Sequence, residues 1–338
     1  MIRIAIVGAS GYAARELFEI LLNHPDARIT VATSRRDEAP RVEESHPSLA
    51  GRISLACEPF DADRIAAEAD LAFLALPHTA SLEVVPALRS KGVKVIDLSA
   101  DYRIKNAQVY EQWYGHAHTD PPGLAEAIYG LPELFRDRIP KSSLIANPGC
   151  YTSASILGAA PLVAEGIIDP KSIIIDAMSG VSGAGRAPKP NLHFPECNES
   201  VVAYSVGNHR HTPEIEHILS EIGGESVETI FTPHLIPMDR GINATIHAEP
   251  KSPVSEASLV ELYRSFYRDS PFVRVRSGVP ATKDSARTNF CDVAPRVVRR
   301  RIIIFSCLDN LIKGAAGVAV QNMNLIFGHP ETTGFWRL

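Results

Sequence analysis

Ile2-Arg3-Ile4-Ala5-Ile6-Val7-Gly8-Ala9-Ser10-Gly11-Tyr12-Ala13-Ala14 is the stretch on which the fold turns. The apolar run from Met1 to Val7 reads as a buried strand, and Gly8 ends it. An amphipathic helix is expected from about Arg15 to Asn23, carrying Leu17, Ile20, Leu21 and Leu22, and a second strand from Ile29 to Ala32. Strand, glycine turn, helix and strand within about thirty residues is the unit that binds dinucleotides. Glycine permits the tight turn and lets the backbone approach a pyrophosphate, which the first N–H groups of the helix then hold. Gly8, Ser10, Gly11, Tyr12 and Ala13 are the candidate contacts. Their spacing, Gly-x-x-Gly-x-x-Ala, is looser than the usual Gly-x-Gly-x-x-Gly, and an ordinary turn with no ligand would read the same way.

The end of the second strand points to the kind of nucleotide. NAD-binding units place Asp or Glu there for the ribose 2′-hydroxyl. This chain has Thr33-Ser34-Arg35-Arg36 instead. A hydroxyl and two guanidinium groups suit a 2′-phosphate, because Arg pairs with phosphate oxygens in a bidentate way. The expectation is NADP over NAD; the alternative is that both arginines face water.

Further along, Asp70 to Leu76 and Val93 to Leu98 read as third and fourth strands, with a helix over Leu82 to Leu88 between them. In an open α/β sheet the strand C-terminal ends face the ligand crevice. Pro77, His78 and Ser99 to Arg103 are therefore candidates for the cofactor or substrate side. Asp101 and Arg103 also read as a local ion pair, and His78 as structural.

Ile145-Ala146-Asn147-Pro148-Gly149-Cys150-Tyr151-Thr152-Ser153 is the chemical centre of the first half. An apolar run stops at Asn-Pro-Gly, and a helical pattern with Ile156, Leu157, Ala160, Leu162 and Val163 follows. Cys150 is thus expected at a strand-to-helix turn, near unpaired N–H groups and the positive end of the helix dipole. Both favour the thiolate, which is the nucleophile, and the same N–H groups suit an oxyanion or a departing phosphate. A buried, inert cysteine is the alternative.

From Lys171 the chain reads as longer strands: Ile173 to Asp176, Ile230 to Pro237, Gly241 to His247, Phe272 to Val275 and Ile302 to Cys307, with a helix over Ser255 to Arg268. This texture fits a substrate or dimer domain. Ser179-Gly180-Val181-Ser182-Gly183-Ala184-Gly185-Arg186 is a loop able to hold an anion, with Arg186 as the charge, or a mobile surface loop. In Gly207-Asn208-His209-Arg210-His211-Thr212-Pro213-Glu214, Thr212 suits an N-cap and Pro213 the first residue of a helix running to Ile222. Histidines at i and i+2 suit a metal, but no carboxylate or cysteine cluster completes a zinc signature, so no metal is expected. An imidazole acting with a cysteine is the better reading, and a pair of exposed loop histidines the alternative. A last helix is expected from Asn310 through about Phe327, its small residues allowing close backbone approach.

Composition narrows the class. With 338 residues the chain is long enough for about two domains. The formal net charge of −5 gives no global pull toward nucleic acid or an anionic membrane. The basic run Arg296 to Arg301 leads into Ile302 and reads as a solvated strand entry. Five dispersed cysteines without a Cys-x-x-Cys argue against a disulfide framework and fit a reducing cytoplasm. The apolar run at the start is too short for a signal peptide, and no apolar run approaches the ~18 residues of a membrane span.

These residues together resemble the N-acetyl-gamma-glutamyl-phosphate reductases of arginine biosynthesis. The resemblance runs through Gly8 to Tyr12, Asp97-Leu98-Ser99-Ala100-Asp101-Tyr102-Arg103, Asn147 to Tyr151, Ser179 to Arg186, His209 to Glu214, Phe231 to Leu235, Lys313 to Gly317 and Gln321 to Leu325. It implies an α/β fold with an N-terminal Rossmann-type NADP-binding domain, residues 1–149 with 312–338. An α+β catalytic and dimerisation domain, residues 150–311, would follow. It implies a cytoplasmic homodimer or homotetramer that reduces an acyl phosphate with NADPH. Cys150 would form a thioester as inorganic phosphate leaves, and His209 or His211 would move the proton, with a lean to His209. It extends the cofactor contacts to Pro77, Ser99, Gly180, Ser182, Gly183, Asn310 and Gly314. Asn147, Arg103, Arg186, Arg210 and Glu214 become candidates for substrate. Two departures stand out: Ala13-Ala14 where the family usually has Thr-Gly, and Val318 where Gln is frequent. Rival readings are a reductase of a carrier-bound aminoadipyl or glutamyl phosphate in lysine biosynthesis, an aspartate-semialdehyde dehydrogenase, and a catalytically silent NADP-binding regulator.

Overall fold

The computed structural model describes residues 1–34 and 40–335. Arg35 and Arg36, expected at the nucleotide phosphate, lie outside the described residues. The chain forms two compact units: Met1–Pro148 with Ala315–Leu338, and Gly149–Gly314.

The first unit is built on seven strands: β1 Ile2–Val7, β2 Ala27–Thr33, β3 Cys57–Glu58, β4 Leu71–Leu74, β5 Lys94–Asp97, β6 Ile128–Tyr129 and β7 Leu144–Ala146. Their order is β3-β2-β1-β4-β5-β7-β6, and every pairing is parallel. Parallel strands are covered on both faces, which is why β4 reads as a continuous apolar run and β1 as one broken only by the exposed Arg3. Ile4, Ala5, Ile6, Ala72 and Phe73 are fully buried. The chain winds outward from β1 in one direction and then from β4 in the other. The switch point, where such sheets bind ligands, therefore lies between β1 and β4.

Gly8 follows β1 with φ +90°, and a Cβ there would lie 2.5 Å from the Ala75 carbonyl oxygen. Only glycine fits this turn. The helix begins at Tyr12, earlier than Arg15, because Gly11 is already its extended N-cap; it ends at Leu21. Tyr12 and Ala13 thus belong to its first turn.

The second unit is a mixed sheet: β8 Ile173–Gly180, β9 Val202–Ala203, β10 Thr229–Ile236, β11 Ile242–Ala248, β12 Val273–Val275, β13 Cys291–Val298 and β14 Arg301–Leu308, in the order β12-β13-β14-β11-β8-β10-β9. Burial alternates along β11, where Ile242, Ala244, Ile246 and Ala248 point inward. Against that face lies the helix Cys150–Ala164, buried around its whole circumference. A Cβ on Gly158 would meet Ile246 Cδ1 at 2.4 Å, and the Tyr267 hydroxyl donates to Leu157 O at 2.6 Å. The opposite face carries Met178 and Ile230, which are 42% and 63% exposed.

Strand β13 is absent from the sequence reading, and its second half, Arg296 to Val298, lies in the basic run. Val298 pairs with Arg301, leaving Arg299 and Arg300 as a two-residue hairpin with φ of +48° and +68°. That is a type I′ turn, which prefers Asn-Gly. The left-handed conformation costs about 1–2 kcal/mol per ordinary residue. The double substitution Arg299→Asn with Arg300→Gly is expected to stabilise the protein by about 1–2 kcal/mol, read as a higher urea midpoint at unchanged slope. An unchanged midpoint would contradict strain at this turn.

Two helix starts also differ from expectation. The helix Thr212–Gly223 has His211 at its N-cap, already at φ −78° and ψ −18°, so Thr212 is its first residue. The closing helix is Gly317–Ile326, preceded by a π-helical turn over Ile312–Ala316.

Candidate active site

Cys150 is the first residue of its helix, with Gly149 as an extended N-cap that receives no side-chain cap. The turn is held from one side by Glu214. This fully buried carboxylate accepts from Gly149 N–H at 3.0 Å, and the Thr152 hydroxyl lies 2.8 Å from the same oxygen. Glu214 sits in the first turn of Thr212–Gly223, just after the histidines. One buried carboxylate therefore ties the nucleophile's turn to the segment carrying His209 and His211.

Gly314 holds the other side. A Cβ there would lie 2.8 Å from Cys150 Cβ. The π turn is anchored by Asp309, fully buried, whose Oδ1 accepts from Leu311 and Ile312 N–H at 2.9 and 3.0 Å. Arg240 Nη1 donates to Asp309 Oδ2 at 3.2 Å. π turns recur at functional sites, and this one brings backbone against the cysteine.

His209 stands in a cage of rings. Tyr151, the neighbour of Cys150, lies 5.6 Å away edge-on; Tyr204 is at 5.5 Å, Phe231 at 5.3 Å and His211 at 4.8 Å. Burial pushes the His209 imidazolium down to about 4; Glu214 opposes this and Arg210 adds to it. His209 Nδ1 accepts from His211 N–H at 3.1 Å. The proton of the neutral ring is therefore on Nε2. Tyr151 donates to His234 O at 3.0 Å, and Tyr204 donates to the Tyr151 hydroxyl at 3.2 Å. Nothing in the local sequence pattern marks Tyr204 as part of this site; Tyr151 and Phe231 are marked only as members of the motifs Asn147 to Tyr151 and Phe231 to Leu235.

Among the expected substrate residues, Arg186 and Arg210 are exposed. Arg103 is buried, and its guanidinium donates to Asn147 O at 2.7 Å and Leu98 O at 2.8 Å. Those carbonyls at the strand ends need donors, so Arg103 braces the sheet. Asn147 is likewise buried, donating to Ala315 O at 3.0 Å. Glu214, as described, serves the nucleophile's turn. The 180s loop is pinned from within its own unit. Ser182 donates to Asp239 O at 2.6 Å, and Asn310 donates to Ser182 Oγ at 3.0 Å while accepting from Gly241 N–H at 2.7 Å. Gly180 approaches Asp239 so closely that a Cβ would lie 2.5 Å from its carbonyl oxygen; at Gly183 it would lie 3.0 Å from Ser179 Oγ.

In the first unit a cleft at the switch point is lined by Val7, Gly8, Thr33, Ser34, Phe60, Leu76, Glu83 and Val84. A Cβ on Gly11 would meet nothing within 4 Å, and the helix beginning at Tyr12 has no side-chain cap. This open helix N-terminus beside an apolar cleft fits a dinucleotide. Ser10, Gly11, Tyr12, Ala13 and Ser34 are partly exposed, and Pro77 is exposed. Ser99 is not: its hydroxyl donates to Asp97 Oδ2 at 2.6 Å and it lies buried, holding the turn after β5. Val318, the second departure, is fully buried within the closing helix.

Two family models match the chain: the semialdehyde dehydrogenase NAD binding domain over residues 3–142 and the semialdehyde dehydrogenase dimerisation domain over residues 150–310. N-acetyl-gamma-glutamyl-phosphate reductases from Pelobacter propionicus and Rhodopirellula baltica are 50% and 47% identical. The first match covers 99% of this chain and 98% of the relative, the second 98% of each. Among solved structures, aspartate semialdehyde dehydrogenase II from Vibrio cholerae superposes with a TM-score of 0.74 at 17% identity, over 97% of this chain and 98% of that one. At that identity the superposition shows the α/β fold alone. With half of its residues shared over nearly full length, the chain belongs to the N-acetyl-gamma-glutamyl-phosphate reductase family, on the semialdehyde dehydrogenase fold.

Proposed function

We propose that this protein reduces N-acetyl-L-glutamyl 5-phosphate to N-acetyl-L-glutamate 5-semialdehyde and phosphate with NADPH, through a thioester on Cys150, in arginine biosynthesis. The observation that carries the reading is Cys150 at the head of a buried helix, tied through Glu214 and Tyr151 to His209 and His211. The Cys150 thiolate attacks the acyl carbon; the S–C bond forms, the C–O bond to phosphate breaks, and phosphate leaves. The N–H groups of the first helical turn suit the oxyanion of that step. Gly8, Ser10, Gly11, Tyr12, Ala13 and Ser34 of the first unit's cleft would hold a nicotinamide cofactor, which when bound would supply the hydride that reduces the thioester. His209, a neutral Nε2–H donor, hydrogen-bonds the oxygen that gains charge. His211 takes the thiol proton before attack and returns a proton as the thiohemiacetal releases the aldehyde. This division gives the two histidines different roles, with His211 rather than His209 as base.

Ser34 at the cleft and a strand end, Thr33 to Arg36, without an acidic residue support NADP over NAD. The exposed sheet face around Met178 and Ile230, in the segment matched by the dimerisation domain, supports a homo-oligomer formed there. Ile230→Asp is expected to lower the sedimentation coefficient to that of a monomer; an unchanged oligomer would place the interface elsewhere. A cytoplasmic setting agrees with five cysteines without a disulfide. Among the described residues no helix is long and apolar enough to cross a membrane.

The test is NADP+ reduction with N-acetylglutamate 5-semialdehyde, with and without phosphate and with NAD+ as control. Phosphate-dependent turnover favouring NADP+ is expected. No turnover by folded protein would overturn the substrate, and equal use of NAD+ would overturn the cofactor assignment.

A further inference from the structure

We propose that Tyr204 is a positioning residue of the reaction: hung by its hydroxyl on Tyr151, its ring closes the cage that keeps His209 a neutral Nε2–H donor. The role of His209 in turnover rests on the reductase reading above; the placement of Tyr204 rests on geometry. From Glu199 to Asn208 every residue is exposed except Tyr204, which alone turns inward. Its neighbours Val202 and Val206 remain 49% and 60% exposed. Two backbone features aim it. Tyr204 N–H donates to Pro233 O at 3.1 Å, fastening it to β10, and Ser205 follows at φ +50°, turning the chain sharply away. A left-handed serine is strained and persists where the surroundings over-determine it.

The hydroxyl is directed as well as the ring. Tyr151 donates to His234 O, so its oxygen is left to accept, and Tyr204 donates to it at 3.2 Å. Burial pushes the Tyr204 phenol up to about 12, so this donor keeps its proton throughout the working range. The ring then meets His209 edge-on at 5.5 Å and 70°. Of the four rings around His209, only that of Tyr204 comes from an otherwise exposed segment. Its removal opens the cage to water. The titratable groups around His209 are Cys150 and Tyr151 on the nucleophile's helix, Tyr204 itself, and Arg210, His211 and Glu214 on its own segment. Among them burial dominates, so hydration of the ring moves its protonation upward toward the ordinary histidine value near 6.5. An imidazolium carries protons on both nitrogens, so the Nδ1 bond from His211 N–H is lost with it.

The experiment is ring-15N histidine NMR of the full chain, with His209 assigned by its absence in His209→Gln, together with pH profiles of kcat and KM. Wild-type His209 is expected as the Nε2–H tautomer, titrating near 4. Tyr204→Ser is expected to move that titration up by about one pH unit or more. It should lower kcat at pH 6 relative to pH 8 by up to about fourfold, the limit set by an ordinary histidine value near 6.5, with KM within about twofold. Tyr204→Phe keeps the ring and the backbone bond to Pro233 O that aims it, and should restore both the low titration and kcat at pH 6 to within about 1.5-fold of wild type. A merely structural residue would change thermal stability without moving the tautomer or the profile. Unchanged His209 resonances in Tyr204→Ser would overturn the proposal. Should that variant not fold, the wild-type spectrum still decides, since a His209 titrating in the ordinary range overturns it. Failure of the reductase reading would appear as absent turnover in wild type and leaves the NMR result standing.

Discussion

Replacing Cys150 with alanine is expected to lower phosphate-dependent turnover by about ten-thousand-fold or more, with the melting temperature within a few degrees of wild type. The magnitude follows from covalent catalysis: without sulfur no thioester forms, and the histidines and helix N–H groups have no acyl group to act on. The small structural effect follows from position. Cys150 is only partly buried, at the head of a helix whose interior residues carry the packing, and the backbone bonds through Gly149 and Thr152 do not involve its side chain. Stopped assays with wild type and Cys150→Ala, alongside thermal melts, measure both quantities. A variant retaining more than about one part in a hundred of the activity would rule out the thioester route.

Gly314→Ala is expected to reduce kcat by about a hundredfold while the protein stays folded. A methyl there would stand 2.8 Å from Cys150 Cβ and 3.1 Å from its Cα. Neither atom is the far end of a flexible side chain, so either the cysteine or the π turn must shift. The turn is the less able to move, with Asp309 bound to Leu311 and Ile312 N–H and to Arg240. Displacing a nucleophile by about 1 Å costs on the order of a hundredfold in rate. Alkylation of Cys150 by iodoacetamide separates the causes: a thiol that still reacts at the wild-type rate would place the defect elsewhere.

Much of this was legible in the residues themselves. Gly8 and the apolar run before it announce the parallel sheet, and Asn147 to Cys150 announce the turn, because glycine, proline and a helix start each leave a local mark. Arg103 reads in the sequence as a cation for substrate, and its burial follows from two carbonyls that need donors, Leu98 O nearby and Asn147 O 44 residues away. Glu214 and Gly149 are 65 residues apart, a separation that local pattern cannot bridge. Tyr204 lies in an exposed segment, and it turns inward because of partners far off in sequence, Pro233 O for its N–H and the Tyr151 hydroxyl for its own. Strand β13 was obscured by Asp292 and Pro295. Asp292 pairs with Arg274 at 2.6 Å, and Pro295 sits where β12 no longer pairs, so its missing N–H interrupts no ladder on that side.

The first unit is made from two ends of the chain, and this sets an order of assembly during synthesis. Its last helix, Gly317–Ile326, contributes fully buried Val318, Ala319, Val320 and Met323, and Asn322 donates to Gly130 O at 2.8 Å. A ribosome completes all of Gly149–Gly314 before that helix emerges. The nascent first unit therefore waits with an open apolar seat for the whole translation of the second, while the inserted unit, being continuous, is free to condense first. Chains stopped short of residue 315 would present that seat permanently to chaperones and proteases.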